Sequence, residues 1–137
     1  MNIESLRKIM DDKRKSSSEN LTLGKLDSKL NLFQDNEKFT LSNGRFLNGD
    51  FDSYRGYYED IYFGVGIEDK KINTISQLKK MILDAYDQAI MIGYKGGEYE
   101  IDVNTLIWVA YYGSCGEMFT DIQKINGTIT LIIKKEK

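Results

Sequence analysis

"TLIWVAYY", residues 105–112, decides the fold class of this 137-residue chain. From Leu106 onward it is a nearly continuous apolar run of strand length. In an extended backbone Leu106, Trp108 and Ala110 point to one face, Ile107 and Val109 to the other. A strand apolar on both faces belongs inside a sheet rather than at its edge. The run therefore predicts a central strand.

The flanking sequence supplies further strands. "GSCGEM" (113–118) turns the chain, and "FTDIQKI" (119–125) and "TITLIIK" (128–134) read as two strands. Asn126-Gly127 between them is a strong hairpin signal. On the other side, "YEIDV" (99–103) reads as a strand that follows the glycine-rich "GYKGGEY" (93–99). Before it lies the clearest helix, predicted over 74–91. Thr74 and Gln77 form a T-x-x-Q capping box. Behind them Ile75, Leu78, Met81, Ile82, Ala85, Tyr86, Ala89 and Ile90 make a wide apolar face.

Nearer the N-terminus, "EKFTLS" (37–42) and "DIYFGVGI" (60–67) read as strands. The glycine- and Asn-Gly-rich "NGRFLNGDFDSYRGYY" (43–58) between them reads as a long structured loop. In "LTLGKLDSKLNLF" (21–33), Leu23, Leu26 and Leu30 follow at helical spacing behind Thr22, a candidate N-cap. Residues 2–15 suggest a short polar helix with Ile3, Leu6, Ile9 and Met10 on one stripe. "KSSSEN" (15–20) is a polar hinge. The expectation is an α+β fold: a mostly antiparallel sheet, a long amphipathic helix packed on one face, and an N-terminal helix. Residues 1–19 would be the helix and hinge, and 20–137 a single α+β domain, long enough to bury roughly two-thirds of its unfolded surface.

Composition narrows the function classes. The chain is 41% hydrophobic and 29% charged, with net charge −2, so no global positive field draws it to nucleic acid. It has no histidine, hence neither the commonest general base nor the usual zinc ligand. Its one cysteine, Cys115, permits no internal disulfide and no multi-thiolate metal site. A polar N-terminus and the lack of an apolar run of about 18 residues predict a cytoplasmic protein with no membrane partner.

Three segments stand out: "SYRGYYED" (53–60), "GYKGGEY" (93–99) and "WVAYYGSCGE" (108–117). Each combines tyrosine, glycine and charge. Glycine lets a backbone approach a ligand closely, and tyrosine offers a flat face and a hydroxyl. Arg55 can grip a phosphate or carboxylate with two prongs, and Lys95 adds a second positive charge. Together they suit a planar, anionic small molecule. The candidate ligand-binding residues are Tyr54, Arg55, Tyr57, Tyr58, Glu59, Tyr94, Lys95, Glu98, Tyr99, Trp108, Tyr112 and Ser114. The competing reading makes Tyr57, Trp108 and Tyr111 packing residues, with Arg55 paired to Glu59 or Asp60. The carboxylates Glu59, Asp60, Glu98, Glu100 and Asp102 match no metal-loop spacing, and Cys115 has no histidine to activate it. No metal, cofactor or catalytic residue is therefore assigned.

At these segments the chain resembles a family of small, largely uncharacterised bacteriophage and prophage proteins. The family pattern is F-[DE]-S-Y-R-G-Y-Y-[DE], then G-Y-K-G-G-[ED]-[YF], then T-P-[LV]-W-V-A-x-Y-G-x-x-x-G. Here it runs "FDSYRGYYED" (51–60), "GYKGGEY" (93–99) and "TLIWVAYYGSCG" (105–116), without the proline after Thr105. The similarity covers about residues 21–120. The resemblance implies a phage origin and carries no established activity; a small phage-type protein of the host cytoplasm without a catalytic set is expected to act in counter-defence. The expected activity is non-catalytic sequestration of a nucleotide-derived immune signal, of cyclic nucleotide or cyclic ADP-ribose type, by a homodimer. The alternatives are an inhibitor that binds a host defence protein directly and a small nucleotide-processing enzyme.

Overall fold

The computed structural model describes residues 18–57, 59–66, 70–93, 96–111 and 115–136. The helix expected over 2–15 lies outside them. Among the described residues two helices and eight strands follow in chain order: α1 (Leu23–Leu30), β1 (Phe39–Leu41), β2 (Leu47–Ser53), β3 (Ile61–Val65), α2 (Ile75–Gln88), β4 (Ile90–Ile92), β5 (Glu98–Glu100), β6 (Ile107–Ala110), β7 (Glu117–Ile125) and β8 (Thr128–Lys134). Six strands form one sheet in the order β1-β8-β7-β6-β3-β2, and β4 and β5 form a separate two-stranded ribbon. The architecture is α+β.

Strand β6 lies inside the sheet and is buried at all four of its positions. Ile107 and Val109 join the main core, whereas Trp108 and Ala110 belong to a second cluster on the opposite face. The β7–β8 hairpin turns at Asn126-Gly127, as the dipeptide signals. Four of the six strand pairings are antiparallel; β1 with β8 and β3 with β6 are parallel. The β3–β6 pairing is what places the turn before β3 beside Trp108.

Both helices pack on the main-core face. Leu23, Leu26 and Leu30 of α1, and Ile75, Leu78, Met81, Ile82 and Ala85 of α2, are buried there. Thr22 caps α1 by accepting from the Lys25 N–H at 3.1 Å. In α2 the full capping box forms: Gln77 N–H donates to Thr74 Oγ1, and Thr74 N–H to Gln77 Oε1. Each cap is worth about 1 kcal/mol. Ahead of α1, Asn20 and Leu21 wedge between β6 and β7. Leu21 donates to the Phe119 carbonyl and accepts from the Ile107 N–H, while the Asn20 amide donates to the Ile107 carbonyl at 2.8 Å.

Two expectations need correction. Residues 47–53, expected within a loop, are strand β2. The Asn48-Gly49 pair that reads as a turn makes a bulge instead, with the β2–β3 register shifting between Leu47 and Phe51. Leu47 stays fully buried on the core side, and Asn48 Oδ1 accepts from the Asp50 N–H at 3.0 Å. Turn chemistry was used inside a strand. The helix expected to reach residue 91 stops at Gln88. Ala89, at φ 63°, leaves the helix, and Ile90–Ile92 continue as β4. Ile90 is thus 48% exposed rather than on the buried helical face. Among the described residues no helix is long and apolar enough to cross a membrane.

Candidate functional site

In the turn between β2 and β3, residues 54–57 and 59–60 fold over the sheet face opposite the helices. Tyr54 N–H donates to the Asp60 carbonyl at 2.9 Å and Asp60 N–H to the Tyr57 carbonyl at 3.3 Å, and Glu59 closes the turn at φ 73°. The ring of Tyr54 stacks on Trp108 with centroids 4.5 Å apart and planes 12° from parallel. Tyr57 stacks on the same indole at 5.4 Å and 19°. Tyr62 meets the Tyr54 ring edge-on at 6.5 Å. Aromatic pairs of this kind contribute about 0.5–1.5 kcal/mol beyond the area they bury.

Two glycines make room for Tyr54. A Cβ on Gly56 would stand 2.5 Å from Tyr54 Cε2, and one on Gly116 would stand 2.6 Å from the Val109 carbonyl oxygen and 3.1 Å from Tyr54 Cε1. Both positions therefore exclude side chains at this packing. Gly116 also donates its N–H to the Tyr54 hydroxyl at 2.9 Å. Burial raises the Tyr54 phenol above 10.0, and that hydrogen bond offsets part of the shift. Tyr62 is raised as well, by burial first and by the Asp52 carboxylate next, with Arg55 acting in the opposite sense.

Asp60 sits at the centre. It is fully buried, and its Oδ2 accepts from Trp108 Nε1 at 2.9 Å. The Tyr99 hydroxyl reaches the Asp60 carbonyl at 2.8 Å and Ser53 Oγ at 2.9 Å. A buried carboxyl group that accepts from an indole N–H is a rigid anchor, because losing that bond would leave a desolvated acceptor with less compensation. The three Tyr/Gly segments thus meet at one place: the 51–60 segment supplies Tyr54 and Asp60, the 93–99 segment supplies Tyr99, and the 105–117 segment supplies Trp108 and Gly116.

The candidate residues divide by exposure. Tyr54, Tyr99 and Trp108 are buried, at 5%, 5% and 2% exposure, and the rings of Tyr54 and Trp108 face each other. Tyr57 and Glu59 are half-buried, with the Tyr57 hydroxyl donating to Glu136 Oε1 at 2.9 Å, and Arg55 and Glu98 are exposed. Tyr58, Tyr94, Lys95, Tyr112 and Ser114 lie outside the described residues. Asp60, Ser53, Tyr62 and Gly116 joined the constellation without being singled out as binding residues. A carboxylate next to an apolar strand ordinarily points to water, so nothing local marked Asp60 as an indole partner. Beyond the cluster, the Arg45 guanidinium lies 4.4 Å over the exposed ring of Tyr111. Among the described residues no group of three or more acidic or cysteine side chains gathers as a metal site.

No family model, curated protein or solved structure matches the chain.

Proposed function

We propose that this protein is a phage-type counter-defence module that binds and sequesters a nucleotide-derived signal without transforming it. The observation that supports this reading is the meeting of three tyrosine- and glycine-rich segments around Tyr54 and Asp60, with Arg55 exposed between them in sequence. The buried members act as a foundation. Tyr54, Trp108, Asp60 and Tyr99 hold the turn, so Arg55 and the half-buried Tyr57 are presented from a pre-organised support rather than a mobile loop. Pre-organisation lowers the ordering cost of binding. A guanidinium on such a support suits a phosphate or pyrophosphate, and the half-buried ring suits a base.

Calorimetry and thermal shift against cyclic nucleotides and ADP-ribose-type molecules test the reading. The expected result is saturable binding, with the ligand recovered chemically unchanged after heat release. Arg55→Ala should weaken that binding by about 1.5–3 kcal/mol, the usual worth of a hydrogen bond to a charged group, and leave the thermal midpoint of the free protein in place. Binding to none of these molecules overturns it, and recovery of a cleaved ligand points to an enzyme.

A second reading, direct inhibition of a host defence protein, is favoured by one observation. The indole of Trp108 is covered by the protein's own rings, while Tyr111 stands 59% exposed beneath the Arg45 guanidinium. Exposed Tyr and Arg together are characteristic of protein-interface hot spots. A stable complex with a host protein that survives Arg55→Ala but not Tyr111→Ala would select this reading.

A further inference from the structure

Sheet edges are templates for further pairing unless something blunts them, and the edges of this fold differ in how they are protected. At one end of the main sheet, β1 is only three residues long, and Phe39 N–H is bonded to the Asn73 carbonyl. At the other end, β2 carries exposed Asp50 and Asp52, and its start is bridged by Ile72. In the ribbon, β5 carries exposed Glu98 and Glu100. Strand β4 is different. It reads Ile-Met-Ile, its two isoleucines are 48% and 63% exposed, and among the described residues its second edge has no strand partner.

We propose that β4 pairs with β4 of a second copy of this chain, antiparallel about a two-fold axis at Met91. The backbone pattern fixes that register. Ile101 N–H donates to the Ala89 carbonyl at 2.8 Å and Gly93 N–H to the Gly97 carbonyl at 2.7 Å. The odd-numbered residues of β4 therefore bond to β5, and Ile90 and Ile92 direct their N–H and C=O groups away from it. An antiparallel pairing centred on Met91 sets Ile90 opposite the partner's Ile92, and Ile92 opposite the partner's Ile90. Those are the residues with outward backbone groups, so the ladder closes without slippage. In the single chain, the Gln88 side-chain amide donates to the Ile90 carbonyl at 3.3 Å. That long bond occupies the place of a neighbouring strand's N–H.

Side chains agree with the backbone. Ile90 and Ile92 lie on the exposed ribbon face and Met91 on the buried one, so pairing gathers four isoleucines into one apolar patch. Glu100 and Glu98 stand across β5 from Ile90 and Ile92. In a β5-β4-β4-β5 sheet the two glutamate rows would be three strand spacings apart, about 14 Å. That exceeds the Debye length of about 8 Å at physiological salt, so their repulsion is largely screened. Self-pairing sets an apolar strand against an identical apolar strand and leaves the charged β5 strands at the outside of the four-stranded sheet. Pairing would also brace the ribbon that carries Tyr99, whose hydroxyl reaches Ser53 and the Asp60 carbonyl.

Sedimentation velocity of the full chain over a range of concentrations, with amide hydrogen exchange read at Ile90 and Ile92, tests the pairing. The expected result is a reversible dimer in which both amides gain protection as concentration rises. Ile92→Lys, at an exposed position, should weaken dimerisation by tenfold or more while circular dichroism stays unchanged. Ile125→Lys, exposed at the far hairpin, should leave the dimer intact. Three results overturn the proposal: a monomer at every concentration, which would leave the edge to an extended segment of another protein; a dimer indifferent to Ile92→Lys; or a dimer whose Ile90 and Ile92 amides exchange as in the monomer.

Discussion

The two faces of the six-stranded sheet are built from the same strands on different principles. Among the described residues, the helix-covered face belongs to a cluster of twenty-five buried apolar residues, and the other face has four. The large cluster is mostly aliphatic, and its stability scales with buried area, at about 25 cal/mol per Å². The small one has too little area to rely on that. It is held instead by stacked rings, a buried carboxylate on an indole N–H, and a phenol that accepts from a backbone N–H. Area tolerates exchange of one apolar side chain for another, whereas directional bonds do not. The difference teaches where specificity is concentrated: a face that can be covered by a turn of its own chain must fix each group in place.

The largest expected effect is on the aliphatic face. Phe119 is fully buried there and meets Phe63 edge-on at 6.4 Å. Phe119→Ala should cost about 3–5 kcal/mol, as transfer and cavity contributions add. Chemical denaturation should show it as a lower midpoint, with far-UV dichroism and Trp108 fluorescence still lost together. Separate transitions for the two probes would mean that the faces unfold independently and would break the comparison.

Trp108→Phe sharpens it from the other side. The ring remains, but Asp60 loses the N–H that Nε1 donates, and a buried carboxylate is left with less compensation. About 2 kcal/mol is expected, from the cost of a desolvated polar group without its partner. Asp60→Asn keeps an acceptor for the indole and should cost less. A Trp108→Phe variant as stable as the parent would show that area, not the bond, holds this face too.

A smaller contrast lies between two tyrosines. The Tyr54 hydroxyl accepts from Gly116 N–H, whereas the buried Tyr86 hydroxyl, against the aliphatic core, has no partner among the described residues. Tyr54→Phe should cost about 1 kcal/mol, and Tyr86→Phe should be neutral or stabilising. Burial raises both phenols above 10.0. A raised folded value means the stabilisation is complete below pH 10 and is lost as pH rises through the folded values. Alkaline titration of stability should show that loss, reduced in either Phe variant.

The smallest effect is electrostatic. Burial would raise the Asp121 carboxyl, but hydrogen bonds from Gln123 and the Ile122 N–H, with Lys29 at 3.1 Å, outweigh it and hold the group below 3.8. The stabilisation is present above pH 3.8 and is lost as pH falls through the lower folded value. Both partners are partly exposed, so less than about 1 kcal/mol is expected. Lys29→Met should flatten part of this acid dependence in denaturation midpoints measured between neutral and acid pH.

Much of the fold was legible because its signals are local. Periodic leucines, two threonine caps, an Asn-Gly hairpin and one doubly apolar run require only neighbours in sequence, and each became the element it signals. The same holds for the candidate site at the level of segments: tyrosine, glycine and charge marked the three stretches that meet. What tertiary structure decided is how those residues are used. Asn48-Gly49 became a bulge, with Gly49 at φ 86°, because β2 pairs with β3 on both sides of it, Leu47 opposite Val65 and Phe51 opposite Phe63. Ala89 left its helix where Ile90–Ile92 could pair with β5. The parallel pairing of β3 with β6 set Asp60 beneath Trp108, 48 positions away in the chain. Composition places aromatic rings and carboxylates in one segment. Which of them face water and which face each other depends on the strand that arrives alongside, since burial and hydrogen-bond geometry are properties of pairs of segments that no single segment contains.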